Sequence, residues 1–469
     1  ERRMLSSDHA LAHAAKAPPP GDDTLQRLVA MGLLGKIFPP SHVLQGLQVC
    51  KWLNKELPEQ IESVTLKVRD SGVVSGKQVG TCLCRFSTTK VLLFGSAEAR
   101  ISKHLLEGLC HAVQNDFGSG LVHLNLAHSG YGGEVARTLV KILGKCTNLT
   151  HLNVNGNGLM AEAFSPPEEQ ITAGIRLCSR LVHLDVGHNS IFDGNPTGLR
   201  SVLEDCPDIT YLDLSSTEIG AEGMRALSEA SNTALLHLSL SDCQMCDDVA
   251  ELLAGTLSTK WGAIQHLDIG GYKEIHDGSA TRLAESLRHC SSLTHLDLED
   301  VPCQSSGKEL GASLGALRQL TEVSLARAQI SDVSACQLAT GLLLGGCTSI
   351  TYIDLDSNEI GSAGARALAA ALCQCHGLRV LYLGSNCIQE EGLVDITVPI
   401  MMGQWSELEE LDLSANRLHD RGVRELIDAS RQCPALRVLD ISANHSMSDQ
   451  ERVLLNNLGY KPLLVFAVS

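Results

Sequence analysis

The chain has 469 residues, 44% hydrophobic and 19% charged but only 3% aromatic, a globular composition whose core Leu and Ala must pack without bulky rings. Its formal net charge of −17, from 37 Lys and Arg against 54 Asp and Glu, argues against nucleic acid as the main ligand, since a phosphate backbone calls for a basic stripe. No apolar run approaches the roughly 18 to 20 residues that a membrane helix needs, so direct membrane insertion is not expected.

Residues 1–21 read as a mobile tail and linker ending in Pro18-Pro19-Pro20-Gly21, and the start at Glu1 without a Met fits a processed or truncated chain. Residues 22–57 carry apolar residues three and four apart, Leu25, Leu28, Leu33, Leu34 and Ile37. A Pro39-Pro40-Ser41 break follows, then Val43, Leu44, Leu47, Cys50, Leu53 and Leu57. This predicts two or three short helices, a cap shielding what comes next. Residues 58–120 hold two imperfect copies of the phrase L-x-x-L-x-L, Ile61–Leu66 and Thr89–Phe94. Gly72–Gln78 between them has its glycines too close together, and no Ser or Thr after Lys77, for a phosphate loop; it reads as a turn.

From residue 121 to 450 the phrase becomes regular. It starts at Leu121, Leu149, Leu181, Ile209, Leu235, Ile264, Leu293, Leu320, Ile350, Leu378, Leu408 and Leu436, a mean step of about 28.6 residues, and periods of this size indicate a solenoid. The alternating L-x-L predicts a short strand, then a turn and a helix, as in Val249, Leu252, Leu253 and Leu257. Asn157, Asn189, Asn358, Asn386, Asn416 and Asn444 recur eight residues after the first apolar residue, with Thr217 and Cys243 in their place elsewhere; a side-chain amide there can satisfy backbone groups of a buried turn. Cys146, Cys178, Cys206, Cys290, Cys347, Cys375 and Cys433 stand three residues before the phrase, where Trp261 and Trp405 stand in two other copies. That slot is expected to be buried, and a column of unpaired thiols fits a reducing compartment. Ser165-Pro166-Pro167 predicts a loop inside one long step, and residues 451–469 end on one more strand, Leu463–Val468.

Period, phrase, Asn column and helix together resemble the leucine-rich repeats of the ribonuclease-inhibitor type over residues 121–450. The resemblance implies an α/β horseshoe solenoid, with parallel strands on the concave face and helices on the convex face. Residues 34–57 resemble the second half of an F-box, with Phe38-Pro39-Pro40, Leu44, Val49-Cys50 and Trp52 at the matching places. The Leu-Pro that usually opens the motif is absent near Asp22-Asp23-Thr24, and Trp52 comes one residue early. An F-box would imply that Pro39, Pro40, Leu44, Val49, Cys50 and Trp52 contact a Skp-type adaptor. Similarity to the repeats of Ran GTPase-activating proteins would imply a catalytic Arg in an early loop, to which no residue here corresponds.

On a strand the third and fifth residues of the phrase face out together. The third column holds His123, His151, His183, Tyr211, His237, His266, His295, Glu322, Tyr352, Val380, Glu410 and Val438. The fifth holds Asn125, Asn153, Asp185, Asp213, Ser239, Asp268, Asp297, Ser324, Asp354, Tyr382, Asp412 and Asp440. Three readings compete: a polar face hydrogen-bonded across strands, a partner-binding surface, or a zinc site on His237, His266 and His295. Nothing marks a dedicated metal cage, and neither a nucleophile elbow nor a His-Glu-x-x-His is present, so neither metal, cofactor nor catalysis is expected.

The expected function is a non-catalytic scaffold, a subunit or adaptor of a larger assembly. It would take a basic partner segment on the acidic concave face, through His183, Asp185, Tyr211, Asp213, His237, His266, Asp268, His295, Asp297, Tyr352, Asp354, Asp412 and Asp440, and a second partner at its C-terminal edge. The alternative is an F-box-type substrate receptor of a cullin ubiquitin ligase. An intracellular, cytoplasmic location is expected, with an organelle or cilium also compatible.

Overall fold

The computed structural model describes residues 63–66, 91–94, 103–115, 117–129, 136–160, 170–193, 195–231, 234–244, 246–271, 275–444 and 463–465. The expected tail, the helical cap with its F-box-like residues, and the loop at Ser165 lie outside the described residues. The chain divides into two compact units, Glu1–Asn157 and Gly158–Ser469.

In the first unit, β1 (Ser63–Leu66), β2 (Val91–Phe94), β3 (His123–Asn125) and β4 (His151–Asn153) pair in chain order, all parallel. The two imperfect phrases thus each supply a strand. Helix α1 (Lys103–Gln114) precedes β3, and α2 (Ala136–Leu143) joins β3 to β4.

The second unit repeats one motif. Its strands are β5 (His183–Asp185), β6 (Tyr211–Asp213), β7 (His237–Ser239), β8 (His266–Asp268), β9 (His295–Asp297), β10 (Glu322–Ser324), β11 (Tyr352–Asp354), β12 (Val380–Tyr382), β13 (Glu410–Asp412), β14 (Val438–Asp440) and β15 (Leu463–Val465). Each pairs in parallel with the next, in register. The intervening helices are α3 (Ile171–Arg176), α4 (Pro196–Asp205), α5 (Gly220–Glu229), α6 (Asp247–Thr259), α7 (Asp277–Ser286), α8 (Gly307–Ala316), α9 (Asp332–Gly345), α10 (Ser362–Leu372), α11 (Glu390–Met401) and α12 (Asp420–Ser430). Parallel neighbours need a crossover, and the helix supplies it. No helix among the described residues is long and apolar enough to cross a membrane.

Burial follows the phrase. Leu293, Leu296 and Leu298 are buried, as are their equivalents in the twelve regular copies from Leu121 to Ile441, while His295 and Asp297 between them are partly exposed. Each helix turns one apolar stripe onto these leucines, as α6 does with Val249, Leu253 and Leu257. Burying such a Leu stabilises by roughly 1.5–3 kcal/mol, so the buried layer behind a strand of only three residues does more to hold it than its short parallel ladder.

Side chains also tie each repeat to the last. The Asn416 amide donates to Leu383 O at 2.8 Å in the preceding repeat, and its Oδ1 accepts Ile388 N at 3.0 Å. Asn358, Asn386 and Asn444 repeat the pattern, and at the Asn position Cys243 Sγ reaches back to Leu214 O at 2.8 Å. The Cys slot is buried as expected, with Trp261 and Trp405 1% exposed. Its thiols lie against carbonyls of the previous repeat, Cys375 Sγ at 3.5 Å from Cys347 O and Cys433 Sγ at 3.2 Å from Trp405 O. Burial pushes the Cys290 and Cys375 thiols up to about 12, which keeps them protonated.

Two features were not expected. The residue just before the Asn position is left-handed in all twelve copies of the phrase, from φ 48° at Ala415 to 89° at Gly271, and is glycine only at Gly156 and Gly271. For a non-glycine residue this costs roughly 1–2 kcal/mol, against which each N–H gains a backbone bond to the next repeat, as Arg327 N does to Asp356 O at 2.9 Å. The second is a glycine seam. A Cβ on Gly311 of α8 would lie 2.8 Å from Leu338 Cα of α9, and Cβ atoms on Gly341 and Gly345 would strike the backbone at Gly311 and Gly315. These two helices meet backbone to backbone.

Candidate functional site

The two outward columns lie side by side on the sheet face opposite the helices. The register sets His183 beside Tyr211, Tyr211 beside His237, His237 beside His266, and His266 beside His295. Their rings stack: centroids are 3.7, 3.9, 4.0 and 5.2 Å apart along the row, with 10° to 26° between planes. Strands about 4.8 Å apart bring planar side chains at one register into this offset contact. In the first unit His123 and His151 stack in the same way at 3.9 Å.

The ring at the end of the row meets an acid, His295 Nε2 lying 3.1 Å from Glu322 Oε1. Beyond it, Tyr352 and Tyr382 meet edge to face at 5.7 Å, and Tyr382 donates to Glu410 Oε2 at 2.7 Å. Thus the third column is a run of mutual contacts from His183 to Glu322, and further on Tyr382 of the fifth column links Tyr352 to Glu410.

The fifth column has a local task as well. Asp213, Asp297, Asp354, Asp412 and Asp440 each accept, through Oδ1, the backbone N–H two residues on, at 2.7–2.9 Å. Asp268 does so with Gly270 at 3.2 Å, and Asn125 and Asn153 do so in the first unit. These are Asx turns that bend the chain out of the strand. Asp185 departs from the expected exposed position: it is 7% exposed and accepts Gly187 N at 3.2 Å. Its side chain folds under the turn.

A scan against family models matches residues 145–162, 205–228, 346–369, 374–396 and 407–426 to the model described as "Leucine Rich repeat". These are leucine-rich repeats. The repeat region is similar to ribonuclease inhibitor of Sus scrofa, 28% identical over 315 residues, covering 56% of this chain and 66% of that protein. It is also similar to the Tonsoku-like protein of Bos taurus, 28% identical over 292 residues and 61% of this chain, and spans only 18% of that protein's length. The human "Capping protein, Arp2/3 and myosin-I linker protein 3" matches at 26% over 352 residues, 70% of this chain and 24% of that one. Among solved structures, the yeast Rad7 and Elc1 complex superposes with a TM-score of 0.49 at 15% identity, covering 96% of this chain and 98% of that one. An internalin of Listeria monocytogenes superposes with a TM-score of 0.49 at 17% identity, covering 78% and 95%.

Electrostatics within the repeats differ from what the residue types imply. Burial, then the neighbouring imidazoles of His266, His183 and His295, push His237 down to about 3; burial lowers His266 as well. Mild acidification, which charges an ordinary imidazole, therefore leaves His237 at the centre of the row neutral. Burial pushes Asp297 up to about 6, helped by Asp268 and Glu299, and raises Asp354 and Asp412 in the same direction. Among the described residues, no group of three His, Cys, Asp or Glu is arranged to hold a metal ion, and the stacked imidazoles of His237, His266 and His295 face one another ring to ring.

Of the thirteen face residues singled out, the structure brings His183, Tyr211, His237, His266 and His295 into one row. Asp213, Asp268, Asp297, Asp354, Asp412 and Asp440 are aligned beside it, Tyr352 is set further along, and Asp185 is buried. Pro39, Pro40, Leu44, Val49, Cys50 and Trp52 lie outside the described residues.

Proposed function

We propose that this protein is a non-catalytic interaction scaffold, and that the open face of the sheet in the Gly158–Ser469 unit holds a partner protein by a positively charged segment. The observation that carries the reading is the pairing of a five-ring stack with a parallel column of carboxylates on one partly exposed face. Above pH 6 the Asp297 carboxylate works against folding, because its native environment raises it to about 6. A basic partner segment would relieve that charge, and such attraction acts on association rate and specificity. Similarity to ribonuclease inhibitor, a protein named for what it inhibits, supports a binding role. In this reading the C-terminal edge, where β15 pairs with β14, is a second docking place.

The test is site-directed photo-crosslinking in the native source. A photoreactive residue at Tyr352 on the sheet face should capture a partner, and one at Val333 on the helix face should not. Replacing Asp268, Asp297 and Asp354 together by Asn should weaken capture and flatten its salt dependence. Capture from Val333 alone would overturn the reading.

A further inference from the structure

On the helix layer, α7 and α12 turn charge outward, with Arg282 paired to Glu251 and Arg421 to Glu425. Between them lies a stretch of different composition. Helix α9 has no charged residue after Asp332, α10 carries only Arg366, and α11 has none after Asp395. Of the nine exposed large apolar side chains among the described residues, six stand here: Leu343 and Leu344 at the end of α9, and Val394, Val398, Met401 and Met402 along α11 and just past it. Leu344 is 84% exposed and Met402 72%. Helix α10, which packs against both, shows only small side chains beyond Arg366, among them Ala367 and Ala370.

The surface therefore has relief. Packed helices lie about 8–10 Å apart, so ridges of Leu and of Met flank a strip of Ala one helix away. On α9, Cys336 Sγ lies 3.6 Å from Ala363 O, which marks the side facing α10, and Leu343 follows two turns later on that side. On α11, Asp395 Oδ2 accepts Arg366 Nε at 2.8 Å, and Met402 comes seven residues after it. The six apolar side chains present on the order of 600 Å² to solvent, the top of the range for the largest patch on a monomer. A stable interface buries roughly 800 Å² on each partner, a little over half of it apolar, so this patch alone covers the apolar share.

The relief also fits itself. In a contact with two-fold symmetry, the ridge of each copy can settle on the strip of the other, and the reciprocal contact follows from the symmetry. Copies carrying a net charge of −17 repel one another in general, and an uncharged stretch is where they can meet without setting like charges together. We propose that the α9–α11 surface is the contact of a two-fold homodimer, with Leu343 and Leu344 of each copy seated on Ala367 and Ala370 of the other. The contact lies on the helix layer, so it is separate from the sheet face proposed above for a partner. Val333 is ten residues before Leu343, roughly 15 Å along α9, and stands outside it.

Sedimentation velocity on the full chain from about 0.5 to about 50 µM should show exchange between the mass of one chain and the mass of two, with a dissociation constant in the micromolar range or below. Leu344→Glu with Met402→Glu sets carboxylates into the contact and should raise that constant at least about a hundredfold, while Val333→Glu should leave it unchanged. A single species of one-chain mass across the range, or a double variant that pairs as well as the parent, overturns the proposal; a ladder of larger species overturns the two-fold. Both replaced side chains are mostly exposed, so the circular dichroism of the double variant should match the parent. Should that variant not fold, a photoreactive residue at Leu344 in the otherwise unaltered chain decides. Crosslinks between copies that map to α9–α11 support the contact, and crosslinks confined to other parts of the chain or to a different protein overturn it. The double variant should keep capture at Tyr352, and a monomeric parent that still captures a partner there sinks the homodimer alone.

Discussion

The imidazoles of His237 and His266 lie ring on ring, 4.0 Å between centroids and 21° between planes. Two such rings 4 Å apart cannot both charge cheaply, and burial already holds His237 at about 3. Its folded value is below the ordinary 6.5, so the unfolded chain takes up the proton first, and the stack contributes stability above pH 6.5 that is lost as the pH falls toward 3. His237 ring resonances should therefore stay unshifted from about pH 8 to about pH 5. His237→Phe should make the fall of melting temperature with acid shallower. A His237 midpoint near 6.5 would contradict the stack.

For Asp297 the sign is opposite. Its folded value, about 6, is above the ordinary 3.8, so its contribution is intact below about pH 4 and is lost as the pH rises through 6. Asp297→Asn keeps the acceptor for Glu299 N. The variant should melt higher than the parent at neutral pH, with the difference closing near pH 4; scanning calorimetry at the two pH values checks this.

The glycine seam makes a paired prediction. Gly341→Ala drives a methyl into the backbone at Gly311 and should cost about 1–3 kcal/mol, while Gly255→Ala on α6, where nothing lies within 4 Å of the new carbon, should stabilise by up to about 1 kcal/mol. Denaturant midpoints of the two variants should move in opposite directions.

Thiol chemistry reads the Cys slot. Cys146, Cys178, Cys206, Cys290, Cys347, Cys375 and Cys433 are all buried. A chromogenic disulfide reagent should find few reactive groups in the native protein, and about seventeen after denaturation without reductant. A mass map with several disulfides would overturn this.

The F-box-like stretch has its own test. If Leu44 and Val49 dock a Skp-type adaptor, Leu44→Asp with Val49→Asp should abolish its co-purification and leave the repeats folded. An unaltered protein that brings down no such adaptor removes the ligase-receptor alternative.

What could be read in the residues was what recurs with burial. The apolar phrase, the Asn column and the Cys slot each keep one side-chain type because one buried geometry repeats, and all three stand where their spacing put them. The face columns were legible as positions and not as interactions. Nothing in the letters shows that His183 through His295 stack or that burial and crowding lower His237, since those depend on distances between strands far apart in sequence, whereas the aspartate turns, two residues long, are local. The left-handed position was invisible for another reason: His188, Ser216, Asp242, Arg327 and Ala415 share no side-chain property, and what recurs there is a backbone bond, each N–H donating to a carbonyl of the next repeat. Gly311 and Gly341 were hidden because a seam of missing side chains leaves no apolar period to find.

The Asn relay also has a mechanical consequence. Asn416 holds a carbonyl at Leu383 and an amide at Ile388, both belonging to the repeat before its own. Pulling on the C-terminal end of this unit therefore loads these short polar links one after another, in the peeling direction, instead of shearing the sheet as a block. A repeat that detaches leaves its predecessor's turn unsatisfied, which weakens the next link. Under tension the molecule should lengthen in a staircase of nearly equal steps, one repeat each, and shorten again when released, behaving as a ratcheted spring between whatever its ends are fastened to.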